Sequence, residues 1–596
     1  MHVGGASPYL KTEGPGNGAT PRLGERHSLQ WQSRRSNGAR VASLARKRPP
    51  LLNFLAYTLN EIQGGLTNGY WHSKDSQFRA PGPCSPGAGY RGDASSSPAE
   101  EGPAQTADDS CHARGGSWSS ICRLRSSAAW WNQLVGAVRD GLRSLCHTVD
   151  DAYQANLEQQ LGRLLDQGIP DAVYALGRDV MQGVLSRERG YLGSKLVCDA
   201  CGDVLGFEGN KPRSFLTRLG EITACRSYYV GACGHSVFPL DTLLGIQEHD
   251  ALPAIQEEIA FLAADLSYGK AVATVQRLLP ITISNQTVQR VTATVAGQIQ
   301  AEQEADRKTA FGDPVNAAFP EPVGVPSGPV AVVAVDGGMC RIRDQEDFSE
   351  FKVGVLGTIN PSNATPDQPA PVEGKHYVAH FADADTIFEY VNVEYHRLGL
   401  HRCSVLHILG DGAPWIWSRG KELCHEGQEY IPTLDYYHVA EHLANLGKVL
   451  FGSEAQAANN WSKAMRARLD NDELDSFFTE LQSSLQWATR QAGKERAEAV
   501  RLELEYFQDR RAMLNYKQCR ERGLPIGSGM VEGGVRFVGK DRLHRTGMRW
   551  HVTGAEAILQ IRSTDASGER DTFSQRQETK RTQTFHTRKT AWLQAA

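Results

Sequence analysis

Two short apolar runs that each stop on an aspartate constrain this chain more than anything else in it. Val330–Val335 (VAVVAV) leads into Asp336 and two glycines, and SVLHILG leads into Asp411 just ahead of GAPWIW. Nearly continuous apolar runs of this length, bounded by glycine, predict strands buried on both faces. The glycines after Asp336 let a neighbour approach the backbone closely. Further strands are expected at FKVGVLGTI, at HYVAHF and around Tyr430–Leu434, with helices over Asp385–Leu398 and from about Tyr437 to Phe451. Strands interleaved with helices predict an α/β domain, and open α/β sheets carry their ligand chemistry at the carboxyl ends of strands. Either aspartate alone would more often be a helix N-cap than a ligand.

A third acid changes that reading. The segment Pro525–Trp550, PIGSGMVEGGVRFVGKDRLHRTGMRW, offers Ser528 as a helix N-cap and Glu532 in the first turn. Arg536, Lys540, Arg542, Arg545 and Arg549 follow, with Asp541 the only acid among them. By itself this is a capped helix with a solvated charged face. Together, Asp336, Asp411 and Glu532 make a set of hard oxygen ligands suited to two Mg²⁺ (or Mn²⁺) ions, with the basic residues as phosphate contacts on nucleic acid. Asp336 would bridge the two ions, and Asp411 and Glu532 would take one each. The charged helical stretch Glu454–Tyr516 between Asp411 and Glu532 reads as an insertion into the sheet domain, with Trp461 and Trp487 as core residues.

At 596 residues the chain needs several domains, and a net charge of -4 confines any nucleic-acid surface to local patches. Twelve cysteines over this length do not make a disulfide scaffold. The absence of a long apolar run and of a leader-like start predicts a soluble, cytoplasmic chain with no membrane partner. Residues 1–128 are rich in Gly, Ser, Pro and Arg and are expected to be a disordered, low-complexity extension, added upstream of the natural start. Residues 129–190 have helical spacing. In 191–245, Cys198 and Cys201 form one knuckle of a zinc ribbon, and Cys233 belongs to a second knuckle that Val230 and Ser236 leave incomplete. Cys225 or His235 could supply the fourth ligand; the other reading is a hairpin with buried free cysteines. In 250–306, a helix over Tyr268–Leu278, Pro280, and Ser284 capping a second helix with Gln286, Thr287, Gln289 and Arg290 lay out a helix-turn-helix. Its second helix would offer polar residues to DNA base edges. Residues 307–328 read as a linker and 566–596 as a polar tail.

The motifs VAVDGG, LGDGAPWIW, LDYYHVAEHL, PIGSGMVEGG and KDRLHRTGMRW occur in this order. Through them the chain resembles, over about residues 150–565, the DDE transposases of bacterial insertion sequences, most closely the ISKra family. The resemblance implies an RNase H-like catalytic domain over 329–565 with a helical insertion at about 454–516, and Asp336, Asp411 and Glu532 as its metal-binding acids. It also implies hydrolysis at the element ends followed by attack of the freed 3′-hydroxyl on target DNA. Double-stranded DNA is then the expected partner, with a homo-oligomer assembled on it and a nucleoid-associated location. Gly533 and Gly534 stand where stronger helix formers are expected, each costing about 1 kcal/mol against alanine. Two other readings compete. His438, Glu441 and His442 fit the inverted zinc-protease pattern H-x-x-E-H, and a transposase-derived protein could bind DNA through the ribbon and helix pair without cutting it.

Overall fold

Upstream of the segment that carries Cys198 to Cys233 the chain forms α1 (Ala128–Gln154) and α2 (Ile169–Arg187), which pack against each other. The computed structural model describes residues 128–594 apart from 247–248, 344–347 and 366–367. The extension expected over 1–128 therefore lies, except for its last residue, outside the described residues.

The cysteine-bearing segment is a four-stranded antiparallel meander of β1 (Lys195–Val197), β2 (Val204–Thr217), β3 (Gly220–Gly231) and β4 (Ser236–Val237). Its long central hairpin runs in register from Leu205↔Gly231 to Thr217↔Gly220. Alternation along the first half of β3 buries Ile222 and Ala224 in one small core, and after Cys225 the phase shifts, so that Tyr229 is buried in a separate core with Leu196 and Leu205. Three helices follow: α3 (Pro253–Asp265), α4 (Tyr268–Leu278) and α5 (Asn285–Phe311). They share a core of Ile255, Ile259, Val275, Val288 and Val291. Ser284 caps α5, its side chain accepting from the Thr287 amide at 3.1 Å.

The second sheet holds β5 (Val330–Arg341), β6 (Phe348–Ile359), β7 (Glu373–His380), β8 (Val405–Gly410) and β9 (Glu429–Leu434), in the order β7-β6-β5-β8-β9. β6 runs antiparallel to β5 and β7, while β5, β8 and β9 are mutually parallel. The crossover from β7 to β8 is helix α6 (Ala384–Arg397). Because β5 is central, its pleat sends Ala331, Val333 and Val335 into one core and Val332 and Ala334 into the other. Both faces are covered, which is why the run shows no polar alternation.

Helix α7 (Tyr436–Phe451) follows β9 and leads into the insertion, whose helix α8 (Lys494–Asp509) packs Val500, Leu504 and Phe507 into the core that holds Ala331, Val333 and Val335. Trp461 is partly buried there, but Trp487 is 40% exposed and is not a core residue. The other face receives α9 (Gly529–Gly534), the π-helical turn Val535–Lys540, α10 (Val552–Ala566) and the start of α11 (Arg570–Leu593). The stretch read as a polar tail is thus largely helix. The molecule is mixed α/β, and among the described residues no helix is long and apolar enough to cross a membrane.

Candidate functional site

The three acids come together at one end of the second sheet. The parallel ladder of β5 and β8 ends at Ala334↔Leu409, and Asp336 and Asp411 each lie two residues beyond that pair. The pleat therefore puts Asp336 on the same face as Val332 and Ala334, and Asp411 on the face of Leu409. Both strands bury those residues in the core that also contains Val531 and Val535, which flank Glu532. Burial raises the Asp336 carboxyl above its usual range, the charges of Asp411 and Glu532 raise it further, and the Gly337 amide and Lys540 oppose the shift. Asp411 and Glu532 are exposed. The oxygens of the three acids do not all lie within 4.8 Å of one another. A pair of ions about 3.5–4 Å apart is spanned by ligands more widely separated than those of a single ion.

Glycines let the acid-bearing helix come this close. A Cβ on Gly534 would lie 2.9 Å from Val355 Cγ2, and one on Gly539 would run into the Phe351 ring. Gly534 therefore answers a packing demand against β6, and its helix-propensity cost is offset by that approach.

Ser528 does not cap α9 with its side chain. Its amide and hydroxyl both donate to Asp435 Oδ2, and Asp435 Oδ1 accepts from the Tyr437 and His438 amides at 2.6 and 2.9 Å, capping α7. Asp435 is buried. It links the end of β9, the start of α7 and the start of the Glu532 helix, and sequence reading missed it, although an acid directly after a strand and before YYHVAEHL carries the N-cap signal. Buried His407 on β8 sits between the carbonyls of Ile431 and Pro525, 3.1 and 2.9 Å away, and tethers the loop into α9. The insertion braces the other acid. Tyr506 Oη donates to the Asp411 carbonyl at 3.0 Å, and Arg510 Nε donates to the Gly412 carbonyl at 2.9 Å. Gly412 has φ 103°, and a Cβ there would strike Tyr506.

The candidate phosphate contacts divide. Arg290, Arg536, Lys540, Arg545 and Arg549 are exposed, with the Arg545 guanidinium donating to the Asp265 carbonyl at 2.6 Å. Arg542 is fully buried, which corrects its assignment as a DNA contact. Its Nε donates to the Ala263 carbonyl at 3.2 Å, its guanidinium lies 4.7 Å from the Trp550 ring centre, and burial pulls its pKa down to about 10. A planar cation stacks on an aromatic face while bonding a helix-end carbonyl, so basic residues in one run need not share one fate. On α5, Asn285, Gln286, Gln289 and Arg290 are exposed. Gln289 and Ala293 line a groove of about 550 Å³ together with Arg343, Arg549 and His551.

His438 and His442 lie side by side. His442 Nδ1 is hydrogen-bonded to Glu503 at 2.9 Å and its Nε2 faces His438 Nε2 at 3.1 Å, while Glu441 is exposed. These three residues are not among the metal-capable clusters of the described residues.

Cys198, Cys201, Cys233 and His235 do converge, their ligand atoms all within 4.8 Å of one another. Cys225 lies on β3 opposite Pro212, exposed. A second grouping, His376, Glu394 and Glu569, is an ion-pair network whose two carboxylates are both held by Arg397.

No protein-family model matches the chain. It is 23% identical over 359 residues, 59% of its own length and 72% of the other's, to a Streptococcus gallolyticus protein described as "UPF0236 protein in vanSb 3'region".

Proposed function

We propose that the chain is a DDE transposase that cleaves and joins DNA strands with an RNase H-like domain. The observation that carries this reading is the placement of Asp336 and Asp411 at matching positions past the end of one parallel ladder, with Glu532 close enough to act on Asp336. The strand order, with an antiparallel β5-β6-β7 meander followed by parallel β8 and β9, supports it, as does a helical insertion between the second and third acids.

The donor set is three carboxylates, which suits Mg²⁺ or Mn²⁺. Two such ions, when bound by Asp336, Asp411 and Glu532, supply activation of an attacking water or 3′-hydroxyl and stabilisation of the leaving oxygen. The chain's own residues do the positioning. Tyr506 and Arg510 fix the backbone that carries Asp411, and Asp435 fixes the start of the helix that carries Glu532. Exposed Arg536, Lys540 and Arg549 neutralise phosphates beside the acids, and the polar start of α5 reads base edges of the element ends.

The test is Mg²⁺-dependent nicking and joining of duplex DNA carrying the sequences that flank the gene. Cleavage that survives His438→Ala and is abolished by Asp336→Ala supports the transposase. Binding without cleavage selects a non-catalytic DNA-binding protein, and casein hydrolysis that needs His438 selects the protease.

A further inference from the structure

We propose that Cys198, Cys201, Cys233 and His235 bind one Zn²⁺, and that this ion seats the C-terminal end of α11 on the ribbon, making α11 a strut between the ribbon and the catalytic sheet. Three thiols and an imidazole are the soft donor set of a closed structural zinc site. Tetrahedral bonds of about 2.0–2.3 Å put ligand atoms roughly 3.3–3.8 Å apart, and Cys198 Sγ already lies 3.5 Å from His235 Nδ1.

Both turns that present the ligands are closed by the backbone. In the first, the Gly202 amide donates to the Cys198 carbonyl and the Cys198 amide to the Asp203 carbonyl, each at 2.8 Å, with Gly202 at φ 81°. In the second, the Gly234 amide donates to the Gly231 carbonyl at 3.0 Å and the Gly231 amide to the His235 carbonyl at 3.1 Å, with Gly234 at φ 79°. The two knuckles thus match in construction although one is C-x-x-C and the other C-x-H. Cys201 and His235 are exposed, which leaves an entry path for the ion.

The last helix closes over this site. Asp199, between the first two ligands, accepts from Arg588 Nε at 2.7 Å. Trp592 is fully buried against Leu196, Cys198, Leu205, Tyr229 and Val237, with Phe585 and Cys233 packed beside them. The opposite end of α11 is anchored elsewhere. Phe573 joins the core under the second sheet, and Gln577 and Arg576 bond Glu302 on α5 at 2.6 and 3.1 Å. One helix therefore has one foot on the metal-bearing turns and the other on the catalytic body. Loss of the ion loosens the first foot only, because the ribbon core shared with Trp592 includes a ligand.

The experiment uses the full chain purified from zinc-supplemented cells, with metal content, cobalt substitution and tryptic cleavage as readouts. Expected are one zinc per chain and ligand-field absorption of tetrahedral Co²⁺, both lost in Cys201→Ser and kept in Cys225→Ser. Cys201 is chosen because its exposed position makes serine there neutral to packing. Chelation should open cleavage at Arg588 and Lys589 while Arg570 and Arg576 stay protected. Trp592→Ala should open the same two sites while zinc stays bound. A chain without zinc and without cobalt absorption overturns the site. Zinc bound with identical cleavage before and after chelation overturns the strut. None of these readouts depends on strand cleavage, so they stand apart from the transposase reading.

Discussion

Asp435 and Ser528, 93 residues apart in the chain, are joined by two hydrogen bonds in which the serine amide and hydroxyl both donate to one buried carboxylate oxygen. This contact starts the helix that carries Glu532 and ties it to the strand next to the one that delivers Asp411. Ser528→Ala should cost about 1–2 kcal/mol of stability, and Asp435→Ala about 3 kcal/mol or more, because it orphans several buried donors at once. In Ser528→Ala, turnover should fall about 10–100-fold while DNA affinity holds, as is typical when a group supporting a metal ligand is lost. A urea titration with a cleavage assay that separates kcat from KM checks both; equal losses in kcat and DNA binding would refute the positioning role.

The acids at the sheet end should trade stability for chemistry. Burial and two carboxylate neighbours disfavour the charged form of Asp336, so removing that charge should stabilise the metal-free chain. Asp336→Asn is expected to raise the melting temperature without divalent ions, to abolish the further rise that Mg²⁺ gives the unchanged chain, and to lower cleavage by at least about 10²–10³-fold. Calorimetry with and without Mg²⁺ decides; an Asn variant that is less stable in chelator contradicts the account.

The basic run after Glu532 should divide by burial. Arg542→Ala removes a cation stacked on Trp550 and bonded to Ala263 and should cost about 2–4 kcal/mol. Arg536→Gln and Lys540→Gln should change stability by no more than about 0.5 kcal/mol. Each should weaken binding to every DNA sequence and reduce the slope of log K against log salt by about 0.9. Binding isotherms at several salt concentrations, beside denaturation curves, separate the two classes.

A histidine cluster under α6 makes the fold acid-sensitive. His396 is stacked on Phe319 with ring centres 3.7 Å apart and lies near His401 and His425. Burial, then the neighbouring histidines, pull its pKa from 6.5 down to about 4, against the Asn392 carbonyl, which raises it. The unfolded chain therefore takes up this proton first, so the stability contributed by neutral His396 is complete above about pH 6.5 and is lost as pH falls towards 4. Urea midpoints should drop between pH 7 and pH 5, and drop less in His396→Phe, which keeps the aromatic stack. An identical drop in both chains would assign the acid sensitivity elsewhere.

What the sequence determined by itself was local. Apolar runs of six or seven residues placed β5 and β8, capping chemistry at Ser284 and proline at 280 bounded the helix pair, and cysteine spacing picked out Cys198, Cys201 and Cys233, which converge with His235. Each of these signals is written within a few residues, where backbone period and turn chemistry act directly. The tertiary structure alone decided whatever depends on a distant partner. It gave Ser528 the carboxylate that caps α7 in place of a cap of its own, buried Arg542 while leaving Arg536 exposed, and made Gly534 a packing requirement against Val355. It also turned the polar C-terminal stretch into a helix ending in a fully buried tryptophan. Residues of one type in one run look alike in sequence, and only the contacts that long-range folding brings to each of them set which is solvated and which is core.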